Sequence, residues 1–405
     1  MNAIAAPLNA PVLPTAVPIT ADPARMPART YWTVLAMAGL PLGIVWDISW
    51  HISIGRDTFW TPAHILIQLG GVVPALIFFW QAWQTTFRGT PAERAGAISL
   101  FGIHAPLGAW VTMWGALAMV TSAPFDDWWH NTYGLDVKIV SPPHSVLGLG
   151  MLVVAIGVLL NVLSWQNRLV GTSQAKAAAL LFTVAAGLMV TMKSVFATEY
   201  VWPNNQHSSI FYQVIAHMFP FLLLIPARVA NIRWAATIAA SIYTALTLFM
   251  VWVLPLFPAQ PKLAPIYNPV THMVPPPFPL LILVPAIAID VLMLVWGRKL
   301  TAYRRWKALF MDWLLAMAIG ILFIGLMLAV QWPFSKFLLS SASDNWFFAG
   351  NRVWPYYSRL GDWTHQFWTW KQPFSLRGLA VAGGVAIISA RVGLWCGRWM
   401  LKVRR

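Results

Sequence analysis

Residues 46 to 70 read WDISWHISIGRDTFWTPAHILIQLG and residues 125 to 150 read FDDWWHNTYGLDVKIVSPPHSVLGLG, and each stretch sets one carboxylate and two imidazoles at matched spacing. Asp47 corresponds to Asp126, Trp50-His51 to Trp129-His130, Asp57 to Asp136, and Pro62-x-His64 to Pro142-x-His144. The pattern is Asp-x3-His-x12-His in the first copy and Asp-x3-His-x13-His in the second. On a helix, residues i and i+4 share a face, so Asp47 with His51, and Asp126 with His130, can address one common atom. A carboxylate with two imidazoles forms a metal site with coordination positions to spare, of the kind used by copper, zinc or non-haem iron. The chain has one cysteine, Cys396, which excludes a disulfide framework and any cysteine-based cluster, so a metal must sit on His and carboxylate.

The second histidine of each set has to come from a neighbouring helix. Pro62 and Pro142 suit the first turn of a helix and mark where the returning helix begins. Each copy is therefore expected to span the end of one helix, a short loop and the start of the next, with Asp57 and Asp136 capping the loops. A lone Asp or His here reads as interfacial structure, since polar and aromatic side chains gather where membrane meets water. Two copies of the same i, i+4 pair, each followed by a third ligand, exceed what an interfacial role demands.

Composition places these hairpins in a membrane. Of 405 residues, 59% are hydrophobic and 10% charged, well below the roughly 25% charged residues of a soluble domain. Runs long enough to cross about 30 Å of hydrocarbon lie near 31–50, 62–86, 100–122, 143–165, 174–197, 207–227, 233–256, 277–297, 307–331 and 376–398. The expected fold is an all-α bundle of about ten transmembrane helices. Residues 1–29, with no Lys or Arg before Arg25, read as a disordered tail and not as a signal peptide. The expected organisation continues with a four-helix region over 30–165 holding both motifs and five further helices over 166–331. An aromatic outer loop over 332–375, then a last helix and basic tail over 376–405, complete it.

The formal charge of +15 would in a soluble protein suggest nucleic acid. Here it sorts by side. Of the 27 Lys and Arg, 17 fall in the two tails and every second loop, nine on the opposite face, and Arg391 within the last span. The positive-inside rule makes the richer face, and both termini, cytoplasmic. Eight of the 12 acids lie on the other, periplasmic face, among them Asp47 and Asp126. The surplus of base is then topology and attraction to anionic lipid, and nucleic acid is excluded as a partner. A multi-pass protein of the bacterial inner membrane is the expectation.

At the motif residues the sequence resembles the helical, copper-ligating membrane component of the copper membrane monooxygenases, the particulate methane and ammonia monooxygenase family. That component has an Asp-x3-His-x12-His set, matched by Asp47, His51 and His64, and an Asn-x3-His-x13-His set, matched by His130 and His144 with Asp126 in place of Asn. The resemblance covers about residues 30–165 and makes the chain a distant or fused relative. It implies a copper-binding subunit that oxidises a small molecule with O₂, with partner membrane subunits or a cupredoxin-like protein beside it. Copper is then the expected metal, ahead of zinc or iron, with Asp47, His51 and His64 as the principal, catalytic site. The alternative is a non-catalytic protein that takes up or delivers copper, its two equal sites serving as relay stations.

Elsewhere, His207, His272 and His365 sit in outer loops before returning helices and read as interfacial structure. His104 and His217 fall within expected spans, where ionisable groups default to function. They could ligate a haem axially, but a two-haem cytochrome needs four such residues. Asp290 and Asp312 are expected to pair with Arg298 and Arg304 by snorkelling, and Lys193 with Glu199. The aromatic loop is expected to form a lid, dock a partner or lie in the headgroup layer.

Overall fold

The computed structural model describes residues 25–55, 60–133, 141–262, 268–300, 305–355, 358–359, 361, 364–368 and 373–404. Asp57, Asp136 and Asp362 lie outside them. The chain is an all-helical multi-pass membrane protein. Among the described residues, eight helical segments are long and apolar enough to cross a bilayer.

The first segment, Ala28–Ser53, consists of α1 (Ala28–Met37) and α2 (Gly39–Ser53), so helix starts inside the stretch expected to be tail. α3 (Pro62–Phe87) returns, and a short α4 (Pro91–Ala95) follows with a Thr90/Glu93 capping box. α5 (Leu107–Tyr133) and α6 (Pro142–Arg168) make the next hairpin, followed by α7 (Ala175–Phe196), α8 (Thr198–Val201), α9 (Ser209–Val229) and α10 (Ala235–Val253). α11 (Leu283–Leu300), α12 (Arg305–Leu338) and α13 (Leu376–Met400) complete the bundle. α6, α7 and α9 are its centre: 61–67% of their apolar windows is buried, against 33–39% for α3, α10, α12 and α13. Phe182, Phe211, Tyr212 and Phe219 fill the middle.

Two expected spans are corrected. The run from 100 does not open a helix: β1 (Ile98–Leu100) and β2 (Ile103–Ala105) pair antiparallel. They turn through Phe101 and Gly102 at φ 52° and 78°, the positive values a two-residue hairpin loop requires. Helix resumes only at Leu107, so His104 lies on a strand between α3 and α5, its amide donating to Thr86 Oγ1 at 2.8 Å. The run from 277 opens on Pro277 and Pro279, directly after Pro275-Pro276; prolines lack amide donors, and helix starts only at Leu283. The apolar part of α11 is the shorter stretch Leu283–Trp296.

His217 does lie in a span, yet its side chain is exposed on the outside of the bundle. Ser389 of α13 inserts its hydroxyl into α9 beneath it, donating to His217 O at 2.8 Å and accepting from Phe221 N at 3.1 Å. The two histidines do not face each other across a haem, since one is on a hairpin and the other points outward.

Of the partners expected for the buried acids, Arg304 and the side chain of Arg298 lie outside the described residues. Asp290 caps α10, accepting from Ala236 N at 3.1 Å, Thr237 N at 2.8 Å and Thr237 Oγ1 at 2.7 Å. That placement answers the free amides of a helix start whose own N-cap, Trp234, offers no side-chain acceptor. Asp312 pairs with Arg398 of α13. Among the described residues, Lys193 and Glu199 form no ion pair with each other. α12 runs on to Leu338, shortening the aromatic loop, which packs back on the helix ends: Trp252 Nε1 donates to Phe347 O and Trp368 N to Asn204 O.

Candidate metal centre

Thr61 builds the first site's third ligand into place. Its side chain accepts from the backbone N–H of His64 at 3.1 Å, making it the N-cap of α3, with Pro62 in the first turn. His64 is then the third helical residue, where a side chain leans back over the helix start and toward the end of α2. Ser141 repeats the arrangement, accepting from His144 N at 3.3 Å ahead of Pro142 on α6. Ligand spacing alone does not reveal these caps, although a Thr or Ser directly before Pro is a recognisable helix-start signal.

Glycines set how closely the helices of each hairpin approach. A Cβ on Gly43 would fall 2.6 Å from Ile67 Cγ1 and 3.0 Å from Ile67 N, and one on Gly70 would fall 2.9 Å from Leu40 N. In the second hairpin a Cβ on Gly150 would meet Met119 N at 3.0 Å and Gly115 O at 2.9 Å. The repeat thus reaches the packing: the glycine six residues after the second His lies on the residue seven before the Asp, in both copies. Small residues let helix backbones approach, which brings side chains on facing helices within bonding reach.

In the first copy these elements bring the trio together. Asp47 Oδ1 stands 3.4 Å from His51 Nε2 and 3.1 Å from His64 Nε2. One ligand atom from each of the three lies within 4.8 Å of the others. The imidazole rings are tilted at 56° with centroids 6.2 Å apart, so they converge without stacking. Two ligands at about 2.05 Å from a tetrahedral ion stand about 3.3 Å apart, so the two carboxylate–imidazole separations suit a single cation. Asp47 Oδ1 is shut off from solvent and accepts no well-formed hydrogen bond among the described residues. The donor set and this buried oxygen therefore fit a metal ion. Side-chain exposures of 21% for Asp47, 22% for His64 and 26% for His51 leave the site reachable from the bundle end yet mostly dry.

The second copy is described in part. His144 Nε2 stands 3.4 Å from Asp126 Oδ1, the same helix-to-helix contact. Of His130 only the backbone, on α5, is described, so the second trio as a whole is not.

α2 is also held from behind. Ser49 Oγ donates to Val274 O at 2.6 Å, and Ser53 Oγ accepts from Val274 N at 2.8 Å. Both serines are buried, and the i, i+4 pair grips the backbone of Val274 in the loop before α11. This fixes the rotation of α2 that turns Asp47 and His51 toward α3. Nothing in the local spacing marks them, because their partner is more than 220 residues away. A cavity of about 40 Å³ opens on the same side of α2, between Val45, Ile48, Ser194, Tyr243 and Phe278.

The three loop histidines each contact neighbouring groups of the chain. His207 is stacked between Trp332 and Phe367, each at 3.7 Å, with Nε2 3.0 Å from Trp332 O. Its desolvation there, with Lys336 adding to it, holds its pKa below the ordinary histidine value against the raising effect of the Trp332 carbonyl. His272 contacts Thr271 Oγ1 at 3.0 Å. His365 Nδ1 lies 2.7 Å from Leu339 O, and its Nε2 faces Asp344 at 3.9 Å.

Comparison with family models, with curated proteins and with solved structures finds no match.

Proposed function

We propose that this chain is a copper-binding membrane subunit that takes part in oxidising a small molecule with O₂, of the type of the copper-ligating membrane component of the particulate methane and ammonia monooxygenases. Asp47, His51 and His64 hold the principal ion, and Asp126, His130 and His144 a second. The observation that carries the reading is the approach of Asp47 Oδ1 to two imidazole nitrogens from two helices, at 3.1 and 3.4 Å. Its duplication on the next hairpin supports it further.

A bound copper would supply a redox-active Lewis acid with positions left for a small ligand. The chain's own residues do the rest. Asp47 gives the site its negative charge and orients both rings through one oxygen. Thr61 and the Ser49/Ser53 grip keep α2 and α3 in register, so the ligands need little rearrangement to close on an ion. Burial of the trio excludes most water, which strengthens every electrostatic contact inside it.

In this reading α5 and α11 cross the membrane with the other eight segments. Both termini then lie in the cytoplasm and both motifs open to the periplasm of a bacterial inner membrane. Partner membrane subunits or a cupredoxin-like protein complete the complex.

Metal analysis of the purified chain with His51→Ala and His130→Ala tests the assignment. Copper should be lost site by site. An O₂-dependent turnover assay with the partner subunits separates the enzyme from a copper relay. The adjacent, like-built hairpins favour a relay as the second reading, and transfer of copper without O₂ consumption would select it.

A further inference from the structure

The end of the bundle rich in Lys and Arg holds three arginines on adjoining helices, Arg228, Arg391 and Arg398, and the buried carboxylate of Asp312. Arg398 of α13 pairs with the buried Asp312 of α12. Arg228, in the last turn of α9, passes over Gly397, where a Cβ would fall 2.8 Å from its Cγ. That contact puts Arg228 beside Arg398, close enough for their charges to act on each other. Arg391 lies seven residues before Arg398 on the same face of α13, with its guanidinium over the Trp313 ring at 5.3 Å.

The antiparallel register explains the direction of Arg391. Gly320 packs on Ile387, which sets Trp313, seven residues nearer the basic end, about level with Leu394. Arg391 therefore reaches one turn toward the basic end, as a membrane arginine does when its head seeks the headgroup layer. Asp312 offsets one of the three charges. Nε of Arg228 and Nε of Arg391 are both buried without a hydrogen-bond acceptor among the described residues. Beside them Trp313, Met317, Ile388, Val392 and Trp395 are exposed on α12 and α13.

We propose that the arginine cluster where α9, α12 and α13 meet binds one anionic phospholipid. Its phosphodiester lies among Arg228, Arg391 and Arg398, and an acyl chain runs along the exposed apolar faces of α12 and α13. Guanidinium groups match phosphate oxygens in geometry as well as charge. A zwitterionic headgroup would bring its own cation to a cluster that already has three arginines against one carboxylate. A free phosphate would leave the apolar strip beside the arginines unused.

The test is native mass spectrometry of the full chain after reconstitution with equimolar phosphatidylglycerol and phosphatidylcholine. The wild-type chain should retain phosphatidylglycerol in about tenfold preference, and Arg391→Gln and Arg228→Gln should each reduce that preference several-fold. Arg391→Lys should keep part of it, since charge remains but the planar fork is lost. Equal retention of the two lipids by the wild-type chain overturns the proposal whether or not any variant folds. Unchanged preference in folded variants does the same. Displacement of the lipid by millimolar inorganic phosphate would assign the arginine cluster to free phosphate and also overturn the proposal.

Discussion

Gly70 packs directly on the backbone of Leu40, so closely that a Cβ in its place would come within 2.9 Å of the Leu40 amide nitrogen. Leu40 lies two turns before Asp47, and Gly70 nearly two turns after His64. The distance from Asp47 to His64 is thus set by a contact a full helical repeat away, between atoms that cannot rotate aside. Gly150 stands in the same relation to Met119, below Asp126 and His144.

Gly70→Ala should push α2 from α3 by a few tenths of an ångström. Overpacking of this kind costs about 1–3 kcal/mol. Thermal unfolding in detergent should show the loss, together with weaker metal binding at the Asp47 site and unchanged binding at the Asp126 site. Gly148→Ala is the control, because a Cβ there meets only the Phe196 ring at 3.4 Å.

Thr61→Ala removes the N-cap of α3 and should cost about 1 kcal/mol. It also frees the first turn, which holds His64, so metal affinity should fall more than stability alone implies. Thr61→Ser should restore both. A cap without bearing on the site would change stability and leave affinity as it was.

The hairpin motifs are legible in the sequence because they rest on local geometry: i, i+4 pairs, a proline at a helix start and a repeat in register. The rest is not local. The segment Ile98-Ser-Leu-Phe-Gly-Ile-His-Ala is apolar enough to read as a span, and only Gly102 at its centre hints at a hairpin. Asp312 finds Arg398 and Asp290 finds the start of α10 across large sequence separations. Ser49 and Ser53 look like ordinary helix serines until the Val274 backbone lies against them. The match of Gly70 with Gly150 is open to inspection, whereas their part in closing each hairpin requires the packed helices.

Acid should weaken the fold through His207. Its folded pKa is held below the ordinary value of 6.5 by burial between Trp332 and Phe367, so the unfolded chain takes up a proton first. The stability it contributes is complete above about pH 6.5 and declines as pH falls from there toward the folded value. Unfolding followed between about pH 7.5 and 5 should show that decline, and His207→Gln should flatten it. A slope unchanged by the substitution would place the acid sensitivity elsewhere.

Coordination at the first trio decides the main question. Copper added to the purified chain should bind with two nitrogen donors attributable to His51 and His64, seen by electron paramagnetic resonance or X-ray absorption. In Asp47→Ala, His51→Ala or His64→Ala one ion per chain should be lost, while the copper at Asp126, His130 and His144 stays. Copper held with unchanged stoichiometry and spectrum after all three substitutions would show that no ion is shared between α2 and α3.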